Sequence, residues 1–313
     1  MQALLDTITL APCAPNTTDA QRLFHGRGGR HPGCEAWTLD LYPPVWVVTS
    51  FEPANETTLA TIGEALAVRW AQWGMDTPLC WVYQCRHGHR TETRVMAGAV
   101  PDNHTVTEAG LRYRVHLLKG QNHGLFLDMA EGRRWVHDHV AGLPRAKVLN
   151  LFAYTCAFSV VAKAAGAHQV VNIDMAQGAL NTGQQNHQLN GLAQGTSFLP
   201  HDVFSSWGKL NRLGPYHLVV ADPPSYQKGS FVATKDYARL VRRLPDLLVP
   251  GGHALLCLNA PELGVGFLTE LVREHAPDLV FKGRLANPPA FEDVDPERAL
   301  KVLVYQAPGL AET

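Results

Sequence analysis

One short segment, HLVVADPPSYQKG at residues 217–229, runs from an apolar strand pattern into a turn that could bind a planar amine. Two consecutive prolines cannot continue a strand ladder, and they hold the backbone in a stiff, extended turn with free carbonyl oxygens. In an open α/β sheet, ligands bind at the carboxyl ends of the strands. The oxygens of the turn could accept the N–H groups of an amine or base edge while the aromatic ring stacks on its face. The candidate catalytic residues are Asp222, Pro223, Pro224, Ser225 and Tyr226.

Acidic residues also end the two preceding strand patterns. Asp174 follows HQVVNI, and at the tip of a second strand it is well placed to accept the two hydroxyl groups of a ribose. Asp202 ends the third pattern, where its carboxylate could accept an adenine N–H or could instead cap the helix that follows. With Asp222, these acids describe an S-adenosylmethionine (SAM) site, with ribose, adenine and substrate-amine acceptors on one rim.

Strand and helix patterns alternate regularly after Ala146. KVLNLFAY is typical of a strand and FSVVAKAAGA of a helix, and the alternation continues to a last strand at Leu300–Gln306. This spacing is typical of parallel βαβ units. We predict an α/β fold with a doubly wound, Rossmann-like sheet and a last antiparallel strand.

The chain before residue 115 has a different character, with short alternating segments broken by Gly, Pro and Asn. Strand patterns at Trp37–Leu41, Val45–Phe51 and Leu79–Gln84 surround a helix pattern from Thr57 to about Trp73. We predict a small α+β domain over residues 1–114, which could recognise the substrate, and a catalytic domain over residues 115–313. LRYRVHLLKG and GLFLDM predict a hairpin between them.

The first strand-to-helix turn, at residues 152–156, contains small residues but no glycine. Neither GxGxxG nor GxxxxGK[ST] occurs in the chain, so the dinucleotide and triphosphate fingerprints are absent. A ligand without phosphates needs neither motif. Thr155 could cap the following helix, and an ordinary turn after a buried strand is the alternative interpretation of this segment.

Residues 146–260 resemble the class I SAM-dependent methyltransferases. From about residue 110 to its end, the chain resembles the bacterial 23S ribosomal RNA large-subunit methyltransferases of the RlmI and RlmK type. RLFHGRGG at residues 22–29 is similar to the start of that group's pre-catalytic domain. The other segments that carry the resemblance are GLFLDM, LNLFAYT, AFS, NID, DVF, DPPSY and RALKVLVYQ.

The resemblance implies a SAM site in the second domain. The first turn would line the methionine part, the acid of the second strand would hold the ribose, and the end of the third strand would bind the adenine edge. The residue after the ribose acid would lie against the adenine, and the FLD segment would cross over the cofactor. The implied cofactor residues are Phe126, Asp128, Asn150, Phe152, Ala153, Thr155, Asp174, Met175, Asp202 and Val203.

Several positions depart from the family's pattern. Cys156 stands where the first turn usually has glycine, and Ala130 where an arginine often follows the FLD segment, whereas Arg133 and Arg134 match the later arginine pair. Members that methylate C5 of cytosine place a nucleophilic cysteine just after the fifth strand, but Cys257 lies inside that strand. We therefore expect direct transfer to a nitrogen, with the covalent C5 route as the alternative.

Composition sets wider bounds on the chain. Its 313 residues are 46% hydrophobic and carry a net charge of -1. No apolar run reaches the ~18 residues of a membrane helix, and the N-terminus has no basic signal region, so we expect a cytoplasmic protein without a membrane partner. The six cysteines form no CxxC pattern, so we expect free thiols and no metal site.

Three groups of basic residues could contact RNA, although a solvated charged surface is the alternative for each. The first lies in a glycine-rich loop with no acid near it in sequence. Two aromatic residues could stack on unpaired bases. The arginines are Arg22, Arg27 and Arg30, then Arg86, Arg90 and Arg94, then Arg239, Arg242 and Arg243, and the aromatic residues are Phe24 and Tyr237.

The function expected from these features is SAM-dependent methyl transfer to RNA, with ribosomal RNA as substrate and a base nitrogen as acceptor. The near-neutral charge leaves open transfer to a protein or small-molecule amine. The altered turn at Cys156 leaves open RNA or ribosome binding without catalysis.

Overall fold

The structure, a computed structural model, describes residues 1–12, 18–88, 90–227 and 231–310. The chain forms two compact units, the first comprising Met1–Leu127 and Pro288–Asp295, the second Asp128–Asn287 and Pro296–Thr313. The boundary thus falls at Leu127 and not at residue 114. Residues 288–295 return to the first unit, where the Val294 amide donates a 2.8 Å hydrogen bond to the Gly28 carbonyl.

The first unit contains a five-stranded sheet in the order β1-β2-β3-β4-β5, in which β3 and β4 are parallel and the other neighbours antiparallel. A separate hairpin pairs β6 with β7. The elements are α1 (Gln2–Leu10), β1 (Gln21–His25), β2 (Trp37–Tyr42), β3 (Val45–Ser50), α2 (Glu56–Gln72), β4 (Cys80–His87), β5 (Arg90–Ala97), β6 (Thr105–Glu108) and β7 (Leu111–Arg114).

One face of this sheet packs on α1 and α2. Leu39, Trp46 and Trp81 of the sheet share a buried core with Leu4 of α1 and Ile62 of α2. The predicted α+β character of the N-terminal region is confirmed. Its last hairpin was wrongly predicted, because β7 pairs with the preceding β6 and not with GLFLDM, which supplies only a 3-10 turn at Leu127–Met129.

The second unit contains a seven-stranded sheet in the order β10-β9-β8-β11-β14-β16-β15. Helices connect the strands, and β12 pairs with β13 in a separate ribbon. The elements are α3 (Ala130–Ala141), β8 (Lys147–Leu151), α4 (Ala157–Ala164), β9 (Gln169–Ile173), α5 (Gln177–Leu189), β10 (Thr196–Leu199), α6 (Trp207–Leu213), β11 (Tyr216–Ala221), β12 (Tyr226–Gln227), β13 (Phe231–Val232), α7 (Ala233–Val241), α8 (Leu244–Leu247), β14 (Leu248–Leu258), α9 (Val265–His275), β15 (Val280–Arg284) and β16 (Lys301–Gln306).

The predicted doubly wound sheet is confirmed. Strands β10, β9, β8, β11 and β14 are mutually parallel, and β16 is antiparallel to both of its neighbours, as predicted for the last strand. The strand order reverses between β8 and β11, and ligands of such sheets bind in the crevice at this switch point. In the ranges that the structure describes, no helix has the length and apolarity needed to cross a membrane.

Candidate functional site

Asp222 follows β11 at the centre of the second sheet and carries a perturbed carboxyl group. Desolvation raises its pKa to about 7, the negative charge of Asp128 adds to the rise, and the positive charge of Arg133 opposes it. Arg133 lies on α3 and is only 2% exposed. The strand end therefore carries an acid that exchanges its proton near neutral pH, between a second carboxylate and a buried guanidinium.

The turn after Asp222 is tied to the neighbouring strand. The Ser225 hydroxyl donates a hydrogen bond to the backbone carbonyl of Asn259, just beyond β14. The Ser225 carbonyl accepts the amide N–H of Ala233 at 3.1 Å, where α7 begins. These two contacts fix both sides of the turn at the switch point.

The other candidate catalytic residues occupy the same turn. Pro223 is buried and Pro224 half-buried. Tyr226 pairs through its backbone with β13. The Tyr226 side chain lies outside the described part of the structure.

Cys257 lies within β14 and is fully buried, as the sequence predicted. Burial, followed by the charges of Asp222 and Asp128, raises its pKa well above that of an ordinary thiol. The Tyr237 hydroxyl donates to the Cys257 backbone carbonyl at 2.7 Å. Because the thiolate is the nucleophilic form, this protonated thiol is inert packing.

The turn after β8 adopts a glycine-like conformation without glycine. Phe152, Tyr154 and Cys156 have φ angles of 56°, 47° and 61°, in the left-handed region that favours glycine. The Ala153 amide donates to the Ile173 carbonyl at 3.0 Å, which ties the turn to the end of β9. The backbone shape that a glycine would allow is thus present here.

The Cys156 side chain points beneath this turn and not into the rim. The residue is fully buried, and a Cβ added at Gly183 of α5 would lie 2.4 Å from its Sγ. Cys156 also occupies the N-cap of α4, so the prediction that Thr155 caps this helix is wrong. The Thr155 carbonyl accepts a hydrogen bond from the Asn186 side-chain amide at 2.9 Å, and Thr155 is only 3% exposed.

A buried hydrogen-bond chain lies under the same turn. Asn150 Nδ2 donates to Asn172 Oδ1 at 2.9 Å, and Asn172 Nδ2 donates to Ser159 Oγ at 3.0 Å. Ser159 Oγ and His187 Nε2 are 2.9 Å apart, and His187 Nδ1 lies 2.8 Å from the Gly183 carbonyl. Nδ1 must therefore donate and Nε2 accept, as in a neutral imidazole, and burial lowers the His187 pKa accordingly.

Asp174 and Met175 lie at the carboxyl end of β9, where the sequence predicted a ribose and adenine site. Asp174 Oδ2 accepts the Tyr154 amide and Oδ1 accepts the Ala176 amide, each at 2.8 Å. Each oxygen keeps another lone pair for a ribose hydroxyl. Met175 is 53% exposed, which leaves apolar surface beside the acid for a flat ring. These residues fit SAM.

Asp202 caps a 3-10 turn at Val203–Ser205. Its two carboxylate oxygens accept the amides of Phe204 at 3.2 Å and Ser205 at 3.1 Å. The capping interpretation is therefore correct for Asp202, while its remaining lone pairs can still accept an adenine N–H. Val203 is 2% exposed and packs in the core of the second unit.

The remaining cofactor candidates are placed differently. Phe152 packs its ring 5.3 Å from that of Phe231, and Ala153 is 6% exposed, so both stabilise the turn from inside. Asp128 lies beside Asp222 in the second unit. Phe126 belongs to the first unit and is 40% exposed.

Sequence reasoning did not find the influence of the Arg133 charge on Asp222, or the hydrogen-bond chain that links Asn172, Ser159 and His187. The arginine pair at residues 133–134 was a signal for the first. The second had no signal, because isolated polar residues in apolar patterns do not reveal their partners. No group of metal-ligating side chains was found in the described part of the chain.

Two predicted stacking contacts with RNA were wrong. Phe24 is 2% exposed and Tyr237 fully buried, so neither ring can stack on a base. Arg30 pairs with Glu292 at 2.9 Å and Arg22 pairs with Asp40, so the acidic partners of both arginines come from more distant parts of the chain. In the other two groups, the paired arginines are Arg94 with Glu56, Arg239 with Asp236 and Arg243 with Asp246.

Comparison with known proteins agrees with this geometry. A model of the S-adenosylmethionine-dependent methyltransferase family matches residues 21–306. The chain belongs to this family. A methyltransferase-family structure from Streptococcus mutans, provisionally classed as SAM-dependent, superimposes with a TM-score of 0.81 over 98% of this chain and 81% of that chain, at 22% identity.

Curated relatives in the family include two named ribosomal RNA methyltransferases. Ribosomal RNA large subunit methyltransferase I of Aeromonas hydrophila is 30% identical over 230 residues, which is 71% of this chain and 57% of the relative. Ribosomal RNA large subunit methyltransferase K/L of Psychrobacter sp. is 34% identical over 171 residues, which is 52% of this chain and 21% of the relative. The chain therefore spans little more than half of the first relative.

Proposed function

We propose that the chain transfers the methyl group of SAM to a nitrogen of an RNA base, with ribosomal RNA as the substrate. The observation that carries this proposal is the desolvated Asp222 in the proline turn after β11. Membership of the family indicates that SAM is the cofactor, and the names of the two curated relatives support RNA as the substrate class.

On the cofactor side, bound SAM supplies a methyl group that its sulfonium charge activates. Asp174 would hold the ribose, with Met175 against the adenine and the Asp202–Val203 segment at the adenine edge. The methionine part of SAM would lie against the backbone of the turn at residues 152–156. The proposed segment for this contact begins at Asn150, near the end of β8, and extends to Thr155. Asp128 and Phe126 remain proposed cofactor residues.

On the substrate side, the turn at residues 222–226 would present the base. Ionised Asp222 would accept a hydrogen bond from the base N–H and take up the proton that the nitrogen releases, since its pKa lies near neutrality. The rigid Pro223–Pro224 backbone would orient the base edge. The hydrogen bond from the Ser225 hydroxyl to the Asn259 carbonyl would hold the turn in place. The inert thiol of Cys257 disfavours a covalent C5 route.

Such an activity would take place in the cytoplasm, where ribosomal RNA and SAM are both present. The proposed partner is therefore RNA and not a membrane. The first unit would help to recognise the RNA, and its contribution is developed below.

The cofactor test is calorimetry with S-adenosylhomocysteine (SAH). We expect wild type to bind and Asp174→Ala to bind at least about 10-fold more weakly, because a hydrogen-bonded carboxylate is lost. Asp222→Ala should bind SAH as wild type does. Failure of wild type to bind SAH would refute the enzyme proposal.

The substrate test is transfer of labelled methyl groups from SAM to ribosomal RNA that lacks the modification, in parallel with a protein lysate. We expect label in the RNA, a loss of about 100-fold for Asp222→Ala, and no change for Asp138→Ala, which removes an exposed acid on α3. Label in protein alone would favour an amine of protein, and digestion to nucleosides would show whether a nitrogen or C5 is methylated.

A further inference from the structure

The face of the five-stranded sheet that points away from α1 and α2 has a polar part, which lies beside the buried Val47 and Val82 of the same face. We call this polar part the polar face. Arg22 pairs with Asp40 across β1 and β2, and Thr38 pairs with Thr49, which in turn pairs with Gln84. Side chains two residues apart on a strand share a face, so these residues lie together. The residues of this polar face are Arg22, Thr38, Asp40, Thr49, Gln84 and Arg86.

Positive charge exceeds negative charge on the polar face. Asp40 forms its ion pair with Arg22, and Arg86 donates to Gln84 Oε1. Within the described ranges, neither Arg27 nor Arg86 has a carboxylate as an ion-pair partner. Burial lowers the Arg86 pKa and the charges of Arg22 and Arg27 lower it further, whereas Asp40 and Tyr42 raise it. The three guanidinium groups therefore lie close enough to repel one another.

His25 and the aromatic rings of Phe291 and Phe51 lie at the edge of the polar face. Arg22 lies 2.8 Å from His25 Nδ1 and its guanidinium lies 4.6 Å from the Phe291 ring centroid. Burial and the charges of Arg22 and Arg27 lower the His25 pKa to about 4, although Asp40 and Asp293 act to raise it. His25 is therefore neutral at pH 7. The positive charge at this edge therefore comes from arginine.

Arg27 is held in a rigid loop. It lies between Gly26 and Gly28 in a 3-10 turn, and its guanidinium lies 4.0 Å from the Phe51 ring centroid. A Cβ on Gly26 would lie 1.8 Å from the Cys34 carbonyl oxygen, and one on Gly28 would lie 2.1 Å from the Glu292 carbonyl oxygen. The two glycines are thus required for close packing, and this packing holds Arg27 at the exposed edge.

Two buried polar atoms of this face lack hydrogen-bond partners among the described residues. They are Thr49 Oγ1 and His123 Nε2, on residues that are 1% and 6% exposed. The segment that carries His123 crosses the polar face, because Gln84 Nε2 donates to the Gly120 carbonyl at 2.9 Å. The Thr49 hydroxyl can donate a hydrogen bond, so a buried donor without a partner lies beside excess positive charge, and an anionic acceptor would satisfy it.

We propose that the polar face binds a backbone phosphate of the RNA substrate through Arg22, Arg27 and Arg86. Guanidinium forks match the oxygens of phosphate, and desolvation strengthens their attraction for it. The contact would carry no base information and would fix the position of the RNA, as phosphate contacts do. This inference rests on the proposed RNA substrate, and it adds the place where the first unit would hold the RNA backbone.

The test is binding of a fluorescein-labelled oligouridylate by anisotropy over a series of KCl concentrations. We expect Arg27→Gln and Arg86→Gln each to weaken binding about 3- to 10-fold and to reduce the slope of log Kd against log salt by about 0.7. Arg94→Gln is the matched control, because its partner is the exposed Glu56, and it should change neither quantity. Arg27→Lys keeps the charge and should restore most of the slope.

Equal losses in all three glutamine variants, or unchanged binding in Arg27→Gln and Arg86→Gln with wild-type thermal unfolding, would overturn the phosphate site. So would absence of oligouridylate binding by wild type at low salt. Methyl transfer to ribosomal RNA by wild type separates the two proposals. If transfer is normal while these binding results are negative, only the phosphate site fails.

Discussion

Asp222 lies in an environment that differs from that of an ordinary acid. Burial and the neighbouring Asp128 favour its neutral form, and Arg133 only partly offsets them. The ionised form that accepts a base N–H is thus held at a free-energy cost in the folded protein. Functional sites commonly carry such a cost, because the group is placed for its reaction and not for stability.

This cost predicts a pH-dependent gain of stability in Asp222→Asn. The folded pKa is about 7 and the usual value is 3.8, so wild type loses stability from this group as pH rises from about 4 through 7. Asparagine does not ionise. We expect Asp222→Asn to be more stable than wild type at pH 8, by up to about 4 kcal/mol, and equal to it near pH 4.

Thermal unfolding of both proteins at the two pH values measures this difference. Asp138→Asn, an exposed acid on α3, controls for removal of a negative charge and should show no such gain. A gain of the same size at pH 4 and pH 8 would contradict the assignment of the effect to ionisation.

The acids of the site could be predicted from sequence because each directly follows a strand pattern. Their position along one sheet edge follows from the parallel order of the strands. The effect of Arg133 on Asp222 could not be predicted in the same way, because it depends on how α3 packs on the sheet. Nor could sequence show that Asp202 uses both oxygens as a cap.

At the scale of elements, the turn after β8 depends on its contact with α5. Cys156 lies against Gly183, and the hydrogen-bond chain from Asn150 ends on the carbonyl of that same glycine. A change at this one helix position therefore acts on the packing and on the polar support of the turn together.

Two glycines of α5 provide a matched pair of variants. In Gly183→Ala the new Cβ would lie 2.4 Å from the Cys156 Sγ, so we expect a loss of about 1–3 kcal/mol and weaker SAH binding as the turn shifts. A Cβ at Gly178 has nothing within 4 Å, so Gly178→Ala should gain about 0.5–1 kcal/mol and leave SAH binding unchanged.

Chemical denaturation and SAH calorimetry on both variants give the two readouts. Loss of stability in Gly183→Ala with wild-type SAH affinity would show that α5 does not position the turn. The same change in both glycine variants would show that helix propensity alone is responsible.

Most of the second sheet could be predicted from the alternation of strand and helix patterns. The β6–β7 hairpin of the first unit could not, because its turn is Ala109–Gly110, with φ angles of 50° and 78°. Two left-handed residues make the tight turn that joins β6 to β7, and alanine rarely adopts that conformation. The pattern therefore gave no reason to place a turn there.

Across the whole molecule, buried histidines share one direction of pKa change. Burial lowers the pKa to about 4 at His25, His123 and His139, and lowers it also at His104, His187 and His253. Each of these histidines therefore binds a proton more tightly in the unfolded chain than in the folded protein. Acid therefore favours the unfolded chain at six positions in both units.

We expect the unfolding midpoint to fall steeply as pH drops from about 6.5 to 4. A lowered folded pKa gives stability that is present above the usual pKa of 6.5 and is lost as pH falls through the folded value, up to about 3 kcal/mol for a histidine at 4. The Asp222→Asn background removes the opposing effect of that acid. Thermal unfolding at pH 7, 6, 5 and 4 measures the loss.

His139→Phe tests one contributor, because its ring stacks on Trp135 at 4.7 Å and a phenyl ring can replace it there. This variant should lose less stability in acid than its parent. A midpoint that stays level between pH 6.5 and 4 would be incompatible with these histidines being neutral in the folded protein.

The chain passes between its two units three times, after Leu127, Asn287 and Asp295. A fragment that stops at Leu127 would lack Phe291, on which Arg22 stacks, and Val294, which bonds to Gly28. Neither unit is one continuous stretch of coding sequence. A single recombination junction therefore cannot exchange the N-terminal unit between relatives, and a working chimera must inherit residues 288–295 from the same parent as residues 1–127.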